Sequence, residues 1–266
     1  MAANPEAVLS EQAIRFYRQA MAIMTAAEVP HLVGGAYAFA RYTGIERHTK
    51  DFDVFLREED FGRAAWAFQK AGYKAELSFP HWLGKAYKGE DFVDLIFSAG
   101  NGVARVDERW FEHAVKDQVF GVDVELIPAE EMIWSKGLIM ERERFDGADV
   151  AHVIRAVGDR LDWKRLLERY GKYWRALYAH LVLFGFIYPS DREKIPAWVI
   201  DELTDRVRAE KTNADEKVCN GTIISRQQYL KDIQEWGYAD ARLADNLMSE
   251  EEIELWTAGI AVDGAK

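Results

Sequence analysis

The segment HLVGGAYAFARYTGIERHTKDFDVFL, residues 31–56, carries two adjacent glycines near its start and two aspartates near its end. HLV (31–33) reads as a short buried strand running into Gly34-Gly35. AYAFARYTG (36–44) follows with helical spacing and Gly44 as a C-terminal stop. DFDVFLR (51–57) then alternates acid and apolar residues, which is a strand pattern. Acids are poor strand formers, and burying them uncompensated costs several kcal/mol. Something must hold Asp51 and Asp53 in that strand, and a metal ion is the first candidate.

On a strand, residues i and i+2 point to the same face, so Asp51 and Asp53 project together with Cα atoms roughly 6.5 Å apart. Two carboxylates at that spacing suit hard cations, and paired metal sites hold their ions about 3.5–4 Å apart. Ligation by oxygen alone selects magnesium or manganese over zinc. A third acid, Asp94, lies within FVDLIF (92–97) and needs the same explanation. If that strand runs beside DFDVF, three carboxylates converge.

The glycine turn supplies a complementary half. Glycines let the backbone approach a ligand closely, and the N-terminus of the next helix offers free N–H groups to phosphate oxygens. Arg47, His48 and Lys50 stand just before the acids. Alone, a glycine pair is ordinarily a turn, an acid pair a polar strand face, and Asp94 a core acid paired with Arg or Lys. Their combination points to nucleotide chemistry.

These residues resemble the nucleotidyltransferase superfamily related to DNA polymerase beta. The resemblance rests on Gly34-Gly35, on Thr49-Lys50-Asp51-Phe52-Asp53 as a T-x-D-x-D strand, and on the later strand acid Asp94. It implies transfer of a nucleoside monophosphate from an NTP to an acceptor hydroxyl with release of pyrophosphate. It also implies two Mg2+ or Mn2+ ions on Asp51, Asp53 and Asp94, with Gly34, Gly35 and Ala36 lining the triphosphate and Arg47, Thr49 and Lys50 nearby. Ala36 stands where many members have serine, removing one hydroxyl contact. Asp91 competes with Asp94 for the third position, but it precedes the apolar run. AEEMIWSKGLIMERERFDGADVAHVIRA (129–156) further resembles antibiotic-modifying and AbiEii-type toxin nucleotidyltransferases. That likeness gives Lys136 a triphosphate or substrate role and Arg144 and Asp146 a substrate role, with Asp149 a substitute for Asp146. An N-cap role alone would also explain Asp146.

Outward from this segment, the 266 residues suit one compact domain plus a helical extension, and 49% hydrophobic content permits a large core. The single Cys219 excludes an intrachain disulfide and a cysteine-built zinc site. No signal pattern is expected in MAANPEAVLSEQAIRFYRQ, and runs such as LVLFGFIY (181–188) are too short to span a bilayer. A cytoplasmic protein with no membrane partner is expected.

The fold expected is α/β (α+β): a small mixed sheet of four or five strands flanked by helices, then a helical C-terminal region. Ser10 caps a first helix with Ile14, Tyr17, Met21 and Met24 on one stripe. A helix over 58–72, a hairpin over 81–98 turning at Lys88-Gly89, and a strand at 122–127 follow. Boundaries are placed near 128 and 160, giving a catalytic domain over 1–128 and a helical substrate region over 129–266. Helices are expected over 129–145, from Asp146 as N-cap, over one long stripe from Trp163 to Phe184, from Pro196, and over 225–236. Residues 160–266 carry no nameable functional motif.

A formal net charge of −11 disfavours sequence-independent nucleic-acid binding but not a nucleotide, since a metal and local cations can reverse the field in a cleft. It favours a cationic small-molecule acceptor, with a tRNA or protein acceptor open. The competing class is a non-catalytic nucleotide-binding or antitoxin-like module on the same fold. A dinucleotide-binding oxidoreductase fails because no G-x-G-x-x-G is present.

Overall fold

The computed structural model describes residues 10–47, 49, 51–212 and 216–258. The chain divides into two compact units, Met1–Pro128 and Ala129–Lys266.

In the first unit, α1 (Glu11–Ala26) begins where the Ser10 hydroxyl accepts the Ala13 N–H at 3.1 Å and buries Phe16, Tyr17, Ala20, Met21 and Met24. β1 (Leu32–Val33), α2 (Gly35–Thr43) and β2 (Asp53–Phe55) follow, and Gly44 stops α2 in the left-handed region at φ 72°. Next come α3 (Phe61–Lys70), β3 (Lys74–Phe79), β4 (Leu83–Lys88), β5 (Asp91–Ile96), α4 (Glu108–Glu112), β6 (Val115–Val119) and β7 (Val122–Leu126).

The strands form one mixed sheet in the order β3-β4-β5-β2-β1-β7-β6. β2 pairs antiparallel with β1 and parallel with β5, while β1 runs parallel to β7. Leu32, Val33, Val54, Val93 and Leu95 are fully buried in the central strands. Tyr17 stacks on Phe52 with ring centroids 4.7 Å apart, and Tyr37 and Phe120 complete that aromatic cluster. The mixed sheet with helices agrees with the expected fold class, but two strands exceed the expectation. β3 and β6 are the sheet's two edges and are largely exposed or half-buried, so neither needs the apolar alternation that marks an inner strand. The ladder of β2 is also shorter than DFDVFLR suggested. It begins at Asp53, because Thr49 Oγ1 accepts the Asp51 N–H at 3.0 Å and holds Asp51 in a turn.

The second unit is mainly helical, as expected. It contains α5 (Ala129–Lys136), α6 (Gly147–Val157), α7 (Trp163–Tyr170), α8 (Trp174–Ile187) and α9 (Ala197–Ala209). β8 (Val218–Cys219), α10 (Gly221–Ile224), α11 (Leu230–Gln234), β9 (Ala239–Asp240), α12 (Ala241–Ala244) and α13 (Glu250–Ala258) follow, with β8 and β9 paired in parallel.

The expected stripe from Trp163 to Phe184 is buried at every named position: Trp163, Leu166, Leu167, Tyr170, Trp174, Leu177, Leu181 and Phe184. It is not one helix, because Gly171 at φ 48° ends α7 and the chain restarts as α8. The helix expected over 129–145 likewise stops at Lys136. Beyond it, Glu141 N–H donates to Arg144 O at 2.8 Å and Met140 bridges Phe145, so the chain reverses. The helix expected over 225–236 shrinks to α11, because Ser225 Oγ and the Arg226 backbone N–H both donate to Glu141 instead of propagating a helix. Buried Arg165 pairs with Glu130 and Glu131, and Arg169 Nε meets Glu131 at 2.9 Å, tying α7 to α5.

Candidate active site

Gly34 and Gly35 close β1 and open α2, so the free N–H groups of a nine-residue helix start at the glycine pair. Gly35 adopts φ 54°, and a Cβ built on it would lie 1.7 Å from Asp53 Oδ2. Both facts demand glycine there: its conformation lies in the left-handed region, and the Asp53 carboxylate occupies the place a side chain would fill. The Gly34 N–H donates to Asp53 O at 3.0 Å, which locks β2 to the turn.

Asp53 and Asp94 are register partners on the parallel strands β2 and β5. Directly paired residues on neighbouring strands place their side chains on the same face, and like charges there repel unless a cation lies between or beside them. Asp51 is exposed, two residues before Asp53. Burial first raises the Asp94 pKa, Lys85 pulls it back, and Asp51 raises it again, so the Asp51 and Asp94 carboxylates act on each other. The Tyr17 hydroxyl is pushed up to about 12 by burial and then by Asp91, Asp51, Asp53 and Asp94 in turn. Four carboxylates therefore act on one phenol at the end of the aromatic cluster. Asp91, the competitor, is held to α1 by Gln12 Nε2 at 2.9 Å.

Lys85, which belongs to none of the motifs above, answers the third acid in the structure. It is the antiparallel register partner of Asp94, and its Nζ lies 2.8 Å from Asp94 Oδ1. The same ammonium sits 4.2 Å from the centroid of the Phe92 ring. The bland explanation of Asp94, a strand acid answered by a lysine, is thus met in the geometry. A turn at Lys88-Gly89, as expected, would set Lys85 opposite Phe92; the loop is instead Gly89-Glu90, and that shift brings Lys85 opposite Asp94.

Of the remaining residues, Thr49 holds the Asp51 backbone from both sides, donating to Asp51 O at 3.2 Å. Arg47 lies over the Phe39 ring at 4.3 Å, and Ala36 is half-buried in the first turn of α2. Lys50, and with it His48, lies outside the described residues. In the second unit, Lys136 Nζ contacts Asp149 Oδ2 at 2.7 Å and Asp146 Oδ2 at 3.1 Å, while Arg144 grips Asp146 with two bonds of 3.0 and 2.9 Å. Asp146 stands at the N-cap of α6, but its side chain makes no cap bond and goes to these cations instead. Burial opposes ionisation of Asp146, yet Arg144 and Lys136 hold its pKa below the usual carboxylate range.

The donor set bears on a divalent cation in two ways. Among the described residues, no three His, Cys, Asp or Glu side chains form a ready-made metal cage. Magnesium does not require one: it is commonly held by one or two carboxylates with substrate phosphates completing its shell. Asp53, whose carboxylate lies against Gly35 at the start of α2, fits that mode as an oxygen donor, with the exposed Asp51 two residues before it as the second. Among the described residues, no helix is long and apolar enough to cross a membrane.

No protein-family profile and no curated protein matches the sequence. The structure is similar to the antibiotic-resistance factor ANT(2'')-Ia, at 15% identity and TM-score 0.44, over 65% of this chain and 96% of that one. It is also similar to the lincosamide antibiotic adenylyltransferase LnuA in its lincomycin-bound form, at 13% identity and TM-score 0.38, over 55% of this chain and 96% of that one. A third likeness is to an antigenic nucleotidyltransferase-like protein from Paracoccidioides brasiliensis, at 16% identity and TM-score 0.45, over 70% of this chain and 95% of that one. These are likenesses of fold and do not specify what this chain binds.

Proposed function

We propose that the chain is a nucleotidyltransferase that moves a nucleoside monophosphate from an NTP to an acceptor hydroxyl. The observation that carries this reading is the pairing of Asp53 with Asp94 across two parallel strands, beside a glycine turn whose tightness is set by Asp53 itself.

The α2 N-terminus and the glycine backbone would receive the triphosphate oxygens. Asp51 and Asp53 would hold Mg2+ or Mn2+, which when bound supplies charge neutralisation and alignment of the phosphates. Thr49 fixes the backbone of Asp51, so that its carboxylate is presented from a tied turn. Arg47, Lys50 and Ala36 are assigned to the nucleotide side. Asp94 would accept the proton of the acceptor hydroxyl as its oxygen bonds to the α-phosphorus and the bond to the leaving pyrophosphate breaks. For the second unit, the same reading gives Lys136 a nucleotide contact and Arg144 and Asp146 an acceptor contact. The net charge of −11 favours a cationic small molecule as acceptor over a tRNA or a protein.

One observation favours a second reading. The Lys85–Asp94 ion pair already answers the third acid, as a nucleotide-binding or antitoxin-like module without transfer would allow. Incubation of the protein with labelled NTPs, magnesium and a panel of aminoglycoside, nucleoside, tRNA and protein acceptors separates the two. Acceptor-dependent pyrophosphate release supports transfer, and NTP binding without release for any acceptor supports the module.

A further inference from the structure

Lys85 is held more firmly than a lysine needs to be for solubility. Its side chain is 24% exposed and that of Asp94 13%, and their contact spans neighbouring strands in register. The ammonium has a second anchor in the Phe92 ring at 4.2 Å. Lys85 has another acid across from it, Glu76 on β3. That carboxylate is engaged elsewhere, by Lys74 at 2.5 Å and by the Tyr87 hydroxyl at 3.1 Å. Lys85 is therefore directed to Asp94. On the other side of Asp94 stands Asp53, its register partner. A divalent cation sharing the Asp94 carboxylate would be brought against a fixed ammonium, and that repulsion disfavours it.

We propose that Lys85 occupies the place of a second cation, so that the site takes one divalent ion, on Asp51 and Asp53, and keeps Asp94 as a carboxylate positioned by Lys85. The inference rests on the transferase reading above and specifies its metal count. Lys85 acts through Asp94 and is a positioning residue. In the transfer step the acceptor oxygen forms its bond to the α-phosphorus, pyrophosphate leaves with the bonding pair, and the hydroxyl proton passes to Asp94. The Lys85 ammonium keeps its protons throughout.

The test is a count of bound Mn2+ by electron paramagnetic resonance on the full chain saturated with a non-hydrolysable ATP analogue. The wild-type protein is expected to bind one ion, and Asp94→Asn also one, because Asp94 is not a ligand. Lys85→Met is expected to gain a second ion, Lys85→Arg to return the count to one, and the Lys85→Met/Asp94→Asn double variant to return it to one as well. Two ions in the wild type, or a count of one in folded Lys85→Met, overturns the proposal. If Lys85→Met does not fold, the wild-type and Asp94→Asn counts still decide: one and one supports it, and two falling to one overturns it. Failure of the wild type to bind either nucleotide or Mn2+ overturns the transferase reading itself and the proposal with it, a result distinct from a count of two.

Discussion

The Asp53 carboxylate lies against the α-carbon of Gly35, so close that a Cβ there would fall 1.7 Å from Oδ2. Gly44, at the other end of the same helix, also has positive φ, 72°, but a Cβ on it would meet nothing within 4 Å. The two glycines therefore separate backbone strain from displacement of the acid. Gly44→Ala is expected to lose about 1 kcal/mol of stability with nucleotide affinity unchanged. Gly35→Ala is expected to lose more and to weaken binding of a non-hydrolysable NTP at least tenfold. Denaturant unfolding and calorimetric titration of both variants check this. Equal affinities would assign Gly35 to the turn alone.

Asp51→Asn and Asp53→Asn are each expected to abolish magnesium-dependent binding of the NTP analogue while the fold survives. Both substitutions keep the side-chain volume, so the ligand-free variants should melt as folded proteins. Titration calorimetry with and without magnesium, beside thermal melts, measures both. Unchanged affinity in both variants would remove the acids from nucleotide binding.

Asp94→Asn should separate binding from transfer. It leaves Asp51 and Asp53 in place, so NTP affinity should stay within a few-fold of wild type. Transfer should fall by about 10²–10⁴, the range for loss of a general base. The measurement is pyrophosphate release alongside affinity, once an acceptor is found. Release at the wild-type rate would shift the role to Asp91, which Gln12 holds from α1.

In the second unit, Lys136 answers both Asp149 and Asp146, whose side chains are only 5% and 10% exposed. Lys136→Met should cost about 3 kcal/mol, as for breaking a buried pair, and adding Asp149→Asn should recover part of it. A nucleotide contact by Lys136 adds a second expectation, a roughly tenfold loss of NTP affinity per folded molecule. Unfolding curves and titrations on the same samples distinguish a structural lysine from one that also meets nucleotide.

The depressed pKa of Asp146 gives acid stability a defined sign. The unfolded chain binds the proton more readily than the folded one does. The stabilisation by Lys136 and Arg144 is therefore complete above the ordinary carboxylate value of about 3.9 and is lost as pH falls through the lower folded value. Asp146→Asn should be less stable than wild type at pH 7 and converge with it once the pH falls below the lowered folded value. Urea unfolding at a series of pH values tests this, and parallel curves would show that the pairing contributes nothing.

Local signals were read correctly where a single element sets them. The strand entering Gly34-Gly35, the αL stop at Gly44, the Ser10 cap and the apolar stripe from Trp163 to Phe184 each depend on residues within a few turns of one another. The Lys85–Asp94 pairing was not legible in that way, because the turn falls at Gly89-Glu90 and not at Lys88-Gly89, and that one-residue shift decides which residue faces Asp94. Where the expected helices failed, one cause was local and one distant. Gly171 ended α7 within an apolar stripe that stays buried throughout, and Glu141 diverted Ser225 and Arg226 from the helix their neighbours suggested.

By itself, the sequence determined which residue types stand at which spacing: two aspartates two positions apart, a later acid inside an apolar run, and a glycine pair before a helix. Order and spacing along the chain are local, yet the expectation that Asp51 and Asp53 share one strand face did not hold, because β2 begins at Asp53 and Thr49 keeps Asp51 in a turn before it. Only the tertiary structure decided that Asp94 stands opposite Asp53, because the parallel pairing of β2 and β5 joins segments some forty residues apart and is set by burial of Val54, Leu95 and their neighbours. It also decided the company each charge keeps, with Lys85 on Asp94 and Lys136 on Asp146 and Asp149. Ion pairs form between whichever side chains packing brings within reach, and no periodicity in the chain records that choice.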